Sequence, residues 1–151
     1  LQSNGYAYSY IITGDSTSEL KIILGGAGVG SNYSSAGVFE SGTFDAGYEV
    51  AWNSISTTVS VSENTTIQYK VALKDAVSNS CNLVTFANSD FVGEGGQTSS
   101  YFPQAGGVLP FDNDSTGYEN PARCMRYRAY LTTMDPTQTP VIYDVILNYS
   151  P

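Results

Sequence analysis

Apolar and polar residues alternate with a period of two through most of this chain, and no stretch holds a helical period over three turns. That pattern constrains the fold more than any other feature. Residues two apart share one face of a strand, and only a packed sheet can bury such a face. The clearest case is TTIQYKVALK at 65–74. There Ile67, Tyr69, Val71 and Leu73 face one way, and Thr66, Gln68, Lys70 and Lys74 face the other. In VIYDVILNY at 141–149, Val141, Tyr143, Val145, Leu147 and Tyr149 are expected on one face. The opposite face mixes Ile142 and Ile146 with Asp144 and Asn148, as in a sandwich strand with one partly covered side.

Further strands are expected at GYAYSYIIT, LKIILGG, AGVFESGTFD, VAWNSISTTVSVS, CNLVTFA and MRYRAYLTT. TGDSTSE, GGAGVGSNYSSAG, DAGYE, SEN, KDAVSNS and MDPTQTP separate them with turn and loop chemistry. GAGVGS has no helix pattern behind it, so it reads as a hairpin loop and not as a phosphate-binding loop. No repeat or linker divides the 151 residues. The expected fold is therefore all-β, a single antiparallel β-sandwich domain over 1–151, of jelly-roll type. The stretch 90–120, rich in Gly, Pro, Asn, Asp and Ser, carries no strong strand beyond QTSSYF. A loop this long in a compact domain is usually functional or pinned. Shortening it is expected to spare folding and to weaken contact with partners.

The net charge of −8, with a pI near 4.1, argues against nucleic acid and anionic membrane as partners, because phosphate recognition needs a basic field. No apolar run approaches the roughly 18 residues of a membrane span. The chain has no histidine, and so lacks the usual metal ligand and the usual general base at neutral pH. A serine nucleophile would have no imidazole partner. Paired carboxylates are the remaining route to catalysis, as in a calcium-dependent glycosidase, but chance pairs are expected among this many acids. No enzyme activity is expected. In DNDSTGYE, Asp112, Asp114 and Glu119 offer hard oxygen ligands, which makes them weak calcium candidates without the full EF-hand pattern. A solvated acidic turn is the favoured reading, and no cofactor is expected.

Cys81 and Cys124 are the only cysteines. Far apart and without histidine, they suit a disulfide better than zinc, with buried reduced thiols as the alternative. A bridge implies an oxidising compartment and hence export, in which case any export segment has been removed or was never part of this sequence. Half of the six basic residues, Arg123, Arg126 and Arg128, fall beside Cys124. On a strand, Cys124, Arg126, Arg128 and Tyr130 share one face, and Met125, Tyr127, Ala129 and Leu131 form the core face. The arginines read as a salt-bridge patch, with Asp112, Asp114, Glu119 and Asp144 as expected partners, or else as an anion or sugar site. Tyr101, Tyr118, Arg126 and Arg128 are the candidate ligand or interface residues. Tyr6, Tyr8 and Tyr10 share a strand face and suit either recognition or strand pairing. Sequons stand at Asn32, Asn64, Asn113 and Asn148, in a chain so rich in Ser and Thr that chance explains most of them.

The closing segment NPARCMRYRAYLTTMDPTQTPVIYDVILNYSP resembles a β-sandwich module that ends many surface and prepilin-type proteins of environmental bacteria. There the ending runs Asn-Pro, Cys, Arg-Tyr, a strand, a Thr-rich turn containing Asp, Thr-Pro-Val and a last strand finishing in Tyr-Ser-Pro. SGTFDAGYEVAW, NTTIQYKVAL and FVGEGGQTSSYF are similar to upstream parts of that module, so the likeness runs from about Ser35 to Pro151. Two features depart from the module: Glu94 and Gly95 stand where its loop carries Pro and Asp, and the prepilin N-terminal helix is absent from this sequence. The resemblance implies a galactose-binding-like jelly roll, a Cys81–Cys124 bridge, display at the cell surface and no catalytic residues. The expected role is the globular head of a pilin-like filament (type IV pilus or fimbrium) or an adhesive module, with other surface or filament subunits as partners. The alternative is a carbohydrate-binding module of a secreted protein, with a glycan as ligand.

Overall fold

A computed structural model describes residues 7–13, 18–26, 32–111 and 117–151, with 7–13 and 18–21 described by backbone alone. Its strands are β1 (Ala7–Thr13), β2 (Ser18–Leu24), β3 (Ala36–Glu40), β4 (Phe44–Ser60), β5 (Thr65–Lys74), β6 (Gly106–Val108), β7 (Ala122–Thr133) and β8 (Val141–Ser150). Every strand pairing is antiparallel, and among the described residues the only helices are single 3-10 turns. The all-β architecture expected from the alternation is what the chain forms, as one nearly closed antiparallel sheet folded into two layers. No helix among the described residues is long and apolar enough to cross a membrane.

One layer is ordered β1-β2-β8-β4, with β6 on the far side of β4. In the other, β7 lies between β5 and β3. The long β4 belongs to both: residues Phe44, Asp45 and Val50 pair with β7, and Ala51–Ser60 with β8. Between Asp45 and Val50 the register slips, so the expected DAGYE turn is an outward excursion inside a continuous strand. Gly47, at φ +86°, and the Asp45 side chain, which accepts from the Gly47 N–H at 2.8 Å, shape that excursion.

The core holds the face of β5 read from the sequence: Ile67, Tyr69, Val71 and Leu73 are all buried. Met125, Ala129 and Leu131 of β7 also point inward as expected, and Tyr127 packs against them half-buried. Two other strands depart from strict alternation. On β8, Ile142 is buried and Tyr143 is 39% exposed, while Val145 and Leu147 pack on the core. The register jumps from Thr58–Asp144 to Val59–Ile142, so a bulge at Tyr143 flips the parity of the strand. On β4 a second bulge at Asn53 moves the inward face from Val50 and Trp52 to Ile55.

The described parts of 90–120 are pinned and do not form a free loop. Val92 exchanges backbone hydrogen bonds with Val71, Phe102 does so with Tyr69, and the Glu119 N–H donates to Leu73 O. These contacts occupy the outer edge of β5. The same stretch supplies β6 to the edge of β4. There Gly106, at φ +89°, lies so close to the backbone carbonyl of Ile55 that no Cβ could fit. Phe91, Val92, Phe102, Leu109 and Tyr118 from this stretch are all buried. Shortening it would reopen two sheet edges and empty part of the core, so the expectation that folding survives is corrected.

CNLVTFA is not a strand. It begins as a 3-10 turn at Cys81–Leu83 and continues as irregular chain. Cys81, Val84 and Phe86 turn toward the outer face of the second layer, and Leu83 is exposed. Cys81, Val84 and Cys124 form a small separate core there, with Ala76 and Phe86 against it. The Cys81–Cys124 disulfide is present, with its Cα atoms 5.5 Å apart. It fastens this cover to β7.

Candidate functional site

The outer face of the β3-β7-β5 layer carries Lys70 and Lys74 of β5 and Arg126 and Arg128 of β7. Glu40 of β3 lies in register with Arg128 of β7, which in turn pairs with Lys70 of β5. The Glu40 carboxylate accepts from Arg126 Nη1 at 2.9 Å and from Arg128 Nε at 2.8 Å. Arg126 Nε also donates to Thr43 Oγ1, and Arg128 Nη1 to Asn88 Oδ1. The covering segment supplies the other side. Arg128 stacks 3.8 Å above the Phe91 ring and Arg126 lies 5.0 Å above Phe86. Each guanidinium is thus wedged between a carboxylate on the sheet and an aromatic ring in the cover. Arg123 makes a two-pronged contact with Asp45, through Nε at 2.7 Å and Nη2 at 3.0 Å, and donates to Asn79 Oδ1.

The salt-bridge reading of the arginines therefore describes the structure, but the expected partners need correction. Glu40 and Asp45 take the role assigned to Glu119 and Asp144. The reason is register: cross-strand neighbours meet the guanidiniums first, and register is invisible in a linear pattern. Asp144 lies on β8, in the other layer. Glu119 is occupied elsewhere, its Oε2 accepting from the Asp75 N–H at 2.8 Å. Asp112 and Asp114 lie outside the described residues, as does Asn113. The side chains of Tyr6, Tyr8 and Tyr10 do so too. The calcium site proposed for Asp112, Asp114 and Glu119 is therefore described only at Glu119.

Tyr118, expected at a ligand face, is fully buried, and its hydroxyl donates to Pro110 O at 2.7 Å. Its flanking polar residues, GYEN, disguise a core side chain. Beside it stands Asn120, a buried residue that sequence reasoning noticed only as part of a motif. Its Oδ1 accepts from the Trp52 N–H at 3.1 Å, and its Nδ2 donates to Trp52 O at 2.9 Å and Pro110 O at 2.8 Å. Trp52 Nε1 donates to Ala122 O at 2.9 Å, completing the clamp between β4 and the start of β7.

Tyr101, the other candidate tyrosine, lies at the surface. It is 37% exposed and stands edge-on to Tyr130, with ring centroids 5.1 Å apart. Lys70 Nζ lies 4.4 Å above the Tyr101 ring and donates to Thr98 O. No carboxylate lies within ion-pair distance of Lys70 among the described residues. Burial and the neighbouring charge of Arg128 lower the Lys70 pKa. Here the cover ends, and the sheet face beyond Tyr130 carries Gln68, Thr66 and Thr132, all exposed. Two clefts open at opposite ends of this layer. One of about 480 Å³ lies along Thr65–Gln68 against Pro103 and Gln104, and another of about 400 Å³ lies between the Gly47–Glu49 excursion, Asp75 and Arg123.

Titration of the arginine patch has a definite sign. Burial works to raise the Glu40 pKa, but hydrogen bonds and charge from Arg128 and Arg126 outweigh it and hold the carboxyl below its ordinary value of 4.5. Arg123, helped by the Gly47 N–H, lowers Asp45, and Thr137 lowers Asp135. A folded pKa below the unfolded one means that the unfolded chain binds protons first. The contribution is complete above the unfolded value and is lost as pH falls through the folded one. Thermal melts from pH 6 downward should show stability falling once the ordinary carboxylate range is reached. Glu40→Gln should flatten that slope. A melt whose pH dependence is unchanged in Glu40→Gln would contradict the assignment.

Compared with known proteins, the chain matches no family model, no curated protein and no solved structure.

Proposed function

We propose that this chain is a non-catalytic module displayed outside the cytoplasm, which works by contact: the globular head of a pilin-like filament subunit, or an equivalent adhesive domain. The observation that carries the proposal is the Cys81–Cys124 bridge, which fastens the covering segment onto β7. Such bridges persist in oxidising compartments and are rare where glutathione keeps thiols reduced. Two further features support it. The stretch 90–120 covers the outer edge of β5 from Tyr69 to Leu73 and adds β6 to the edge of β4, as suits a domain that limits pairing of its edges with neighbours. The best-placed carboxylates on the charged face, Glu40 and Asp45, are spent on arginines that keep them ionised, unlike a general acid.

A second reading, a carbohydrate-binding module of a secreted protein, rests on Tyr101 standing exposed against Tyr130 where the cover ends.

The experiment is to raise antibodies to the folded domain and probe intact producing cells, sheared surface material and cytosol, with thiols trapped by alkylation before lysis. Detection on intact cells or in sheared material, with both cysteines bridged, is the expected result. A cytosolic pool with alkylated Cys81 and Cys124 would sink the display reading.

A further inference from the structure

We infer that the ledge where the cover ends is a binding site for a short glycan whose terminal sugar bears a single carboxylate, an inference that rests on the contact-module reading. Four observations describe this ledge. First, the chain Tyr101-Phe102-Pro103-Gln104 runs along the outer edge of β5. It sends Tyr101 over the sheet face, buries Phe102, and lines the cleft of about 480 Å³ with Pro103 and Gln104. That volume lies within the range of small-molecule sites. Second, the edge of β5 is occupied at Tyr69, Val71 and Leu73 but not at Ile67. Backbone direction alternates along a strand, so the N–H and C=O of Ile67 face into the same cleft.

Third, the exposed side chains on the cleft's sheet side are Thr66 and Gln68, an uncharged set of donors and acceptors that matches sugar hydroxyls. Tyr101 and Tyr130 add aromatic surface for the apolar face of a sugar ring. Fourth, among the described residues Lys70 is the basic residue of this face left without a carboxylate, whereas Arg126 and Arg128 spend their donors on Glu40, Thr43 and Asn88. Its ammonium lies over Tyr101, at the inner end of the ledge. One such cation calls for one anionic group on the ligand. The net charge of −8 repels densely charged polyanions, so the acid belongs to a single terminal sugar and not to a polyuronate.

The test uses the whole chain, isotope-labelled, titrated with a glucuronate-terminated disaccharide and with its neutral glucose-terminated counterpart. The expected result is millimolar binding of the acid, with amide shifts confined to Ile67–Lys70, Tyr101 and Gln104. Binding should weaken about tenfold in Lys70→Met for the acidic sugar only, and about tenfold in Tyr101→Ala for both sugars. Both variants must keep the parent spectrum elsewhere. If one misfolds, Gln68→Ala on the exposed face takes its place, with weakened binding of both sugars expected. Shifts located elsewhere, equal affinity for the neutral sugar, or no shifts with either sugar would overturn the inference. A null titration with the chain found on the cell surface defeats the glycan site alone. Binding by a chain confined to the cytosol defeats the display reading alone.

Discussion

Reducing the Cys81–Cys124 bridge should destabilise the protein by about 4 kcal/mol, from the loop of 43 residues that it closes in the unfolded chain. For a domain of this size that corresponds to a fall in melting temperature of roughly 10 °C. The loss should not be uniform. Cys81, Val84 and Phe86 form a core separate from the main one, on the far side of the sheet. The cover is expected to loosen first, uncovering Phe86 and Phe91 and freeing the faces of Arg126 and Arg128. Calorimetry with and without reductant measures the total. Hydrogen exchange at 81–92 compared with 67–73 measures its distribution. A double Cys→Ala variant that melts with the parent would refute the expectation.

Asn120→Ala should be comparably costly, about 4 kcal/mol, although it removes only a few atoms. The Trp52 N–H and the Trp52 carbonyl lose the Asn120 amide, and the Pro110 carbonyl is left with the Tyr118 hydroxyl alone. Leaving a buried polar group without its partner costs about 1–3 kcal/mol. Asn120→Asp separates hydrogen bonding from shape. It keeps the acceptor for the Trp52 N–H but turns a carboxylate toward two carbonyl oxygens. At neutral pH it should be at least as damaging as alanine, with part of the loss recovered in acid, where a protonated carboxyl can donate once more. Urea denaturation at pH 7 and pH 4 distinguishes the two variants. Near-parental stability of Asn120→Ala would mean that the clamp is dispensable.

The architecture was legible wherever alternation is unbroken. β5 and the inner face of β7 follow directly from Ile67, Tyr69, Val71, Leu73 and from Met125, Ala129, Leu131. Alternation misleads where a bulge inserts one residue. Tyr143 and Asn53 each reverse the parity of their strands, and neither residue type announces a bulge. The arginine cluster was readable as a charged face tied to a disulfide, but its partners depend on pairing between segments more than eighty residues apart. Tyr118 and Asn120 misled for a different reason. They sit in a polar, glycine-containing stretch whose composition suggests solvent, yet their polar atoms are satisfied by backbone groups. A Tyr and an Asn two residues apart, leading into Asn-Pro-Ala-Arg-Cys, was the one available signal. Val84 and Phe86 show the converse: period-two apolar residues need not form a strand when they pack onto the outside of one.

β4 has a mechanical consequence. Seventeen residues long, it is stitched to β7 at one end and to β8 along the rest, so a single covalent span is woven through both layers. Neither sheet can peel away or slide past its mate under load without rupturing that common thread. A tug on the last strand is carried through β4 into β7 and the bridged segment behind it. Under tension the molecule should hold as one body and then give way in a single step.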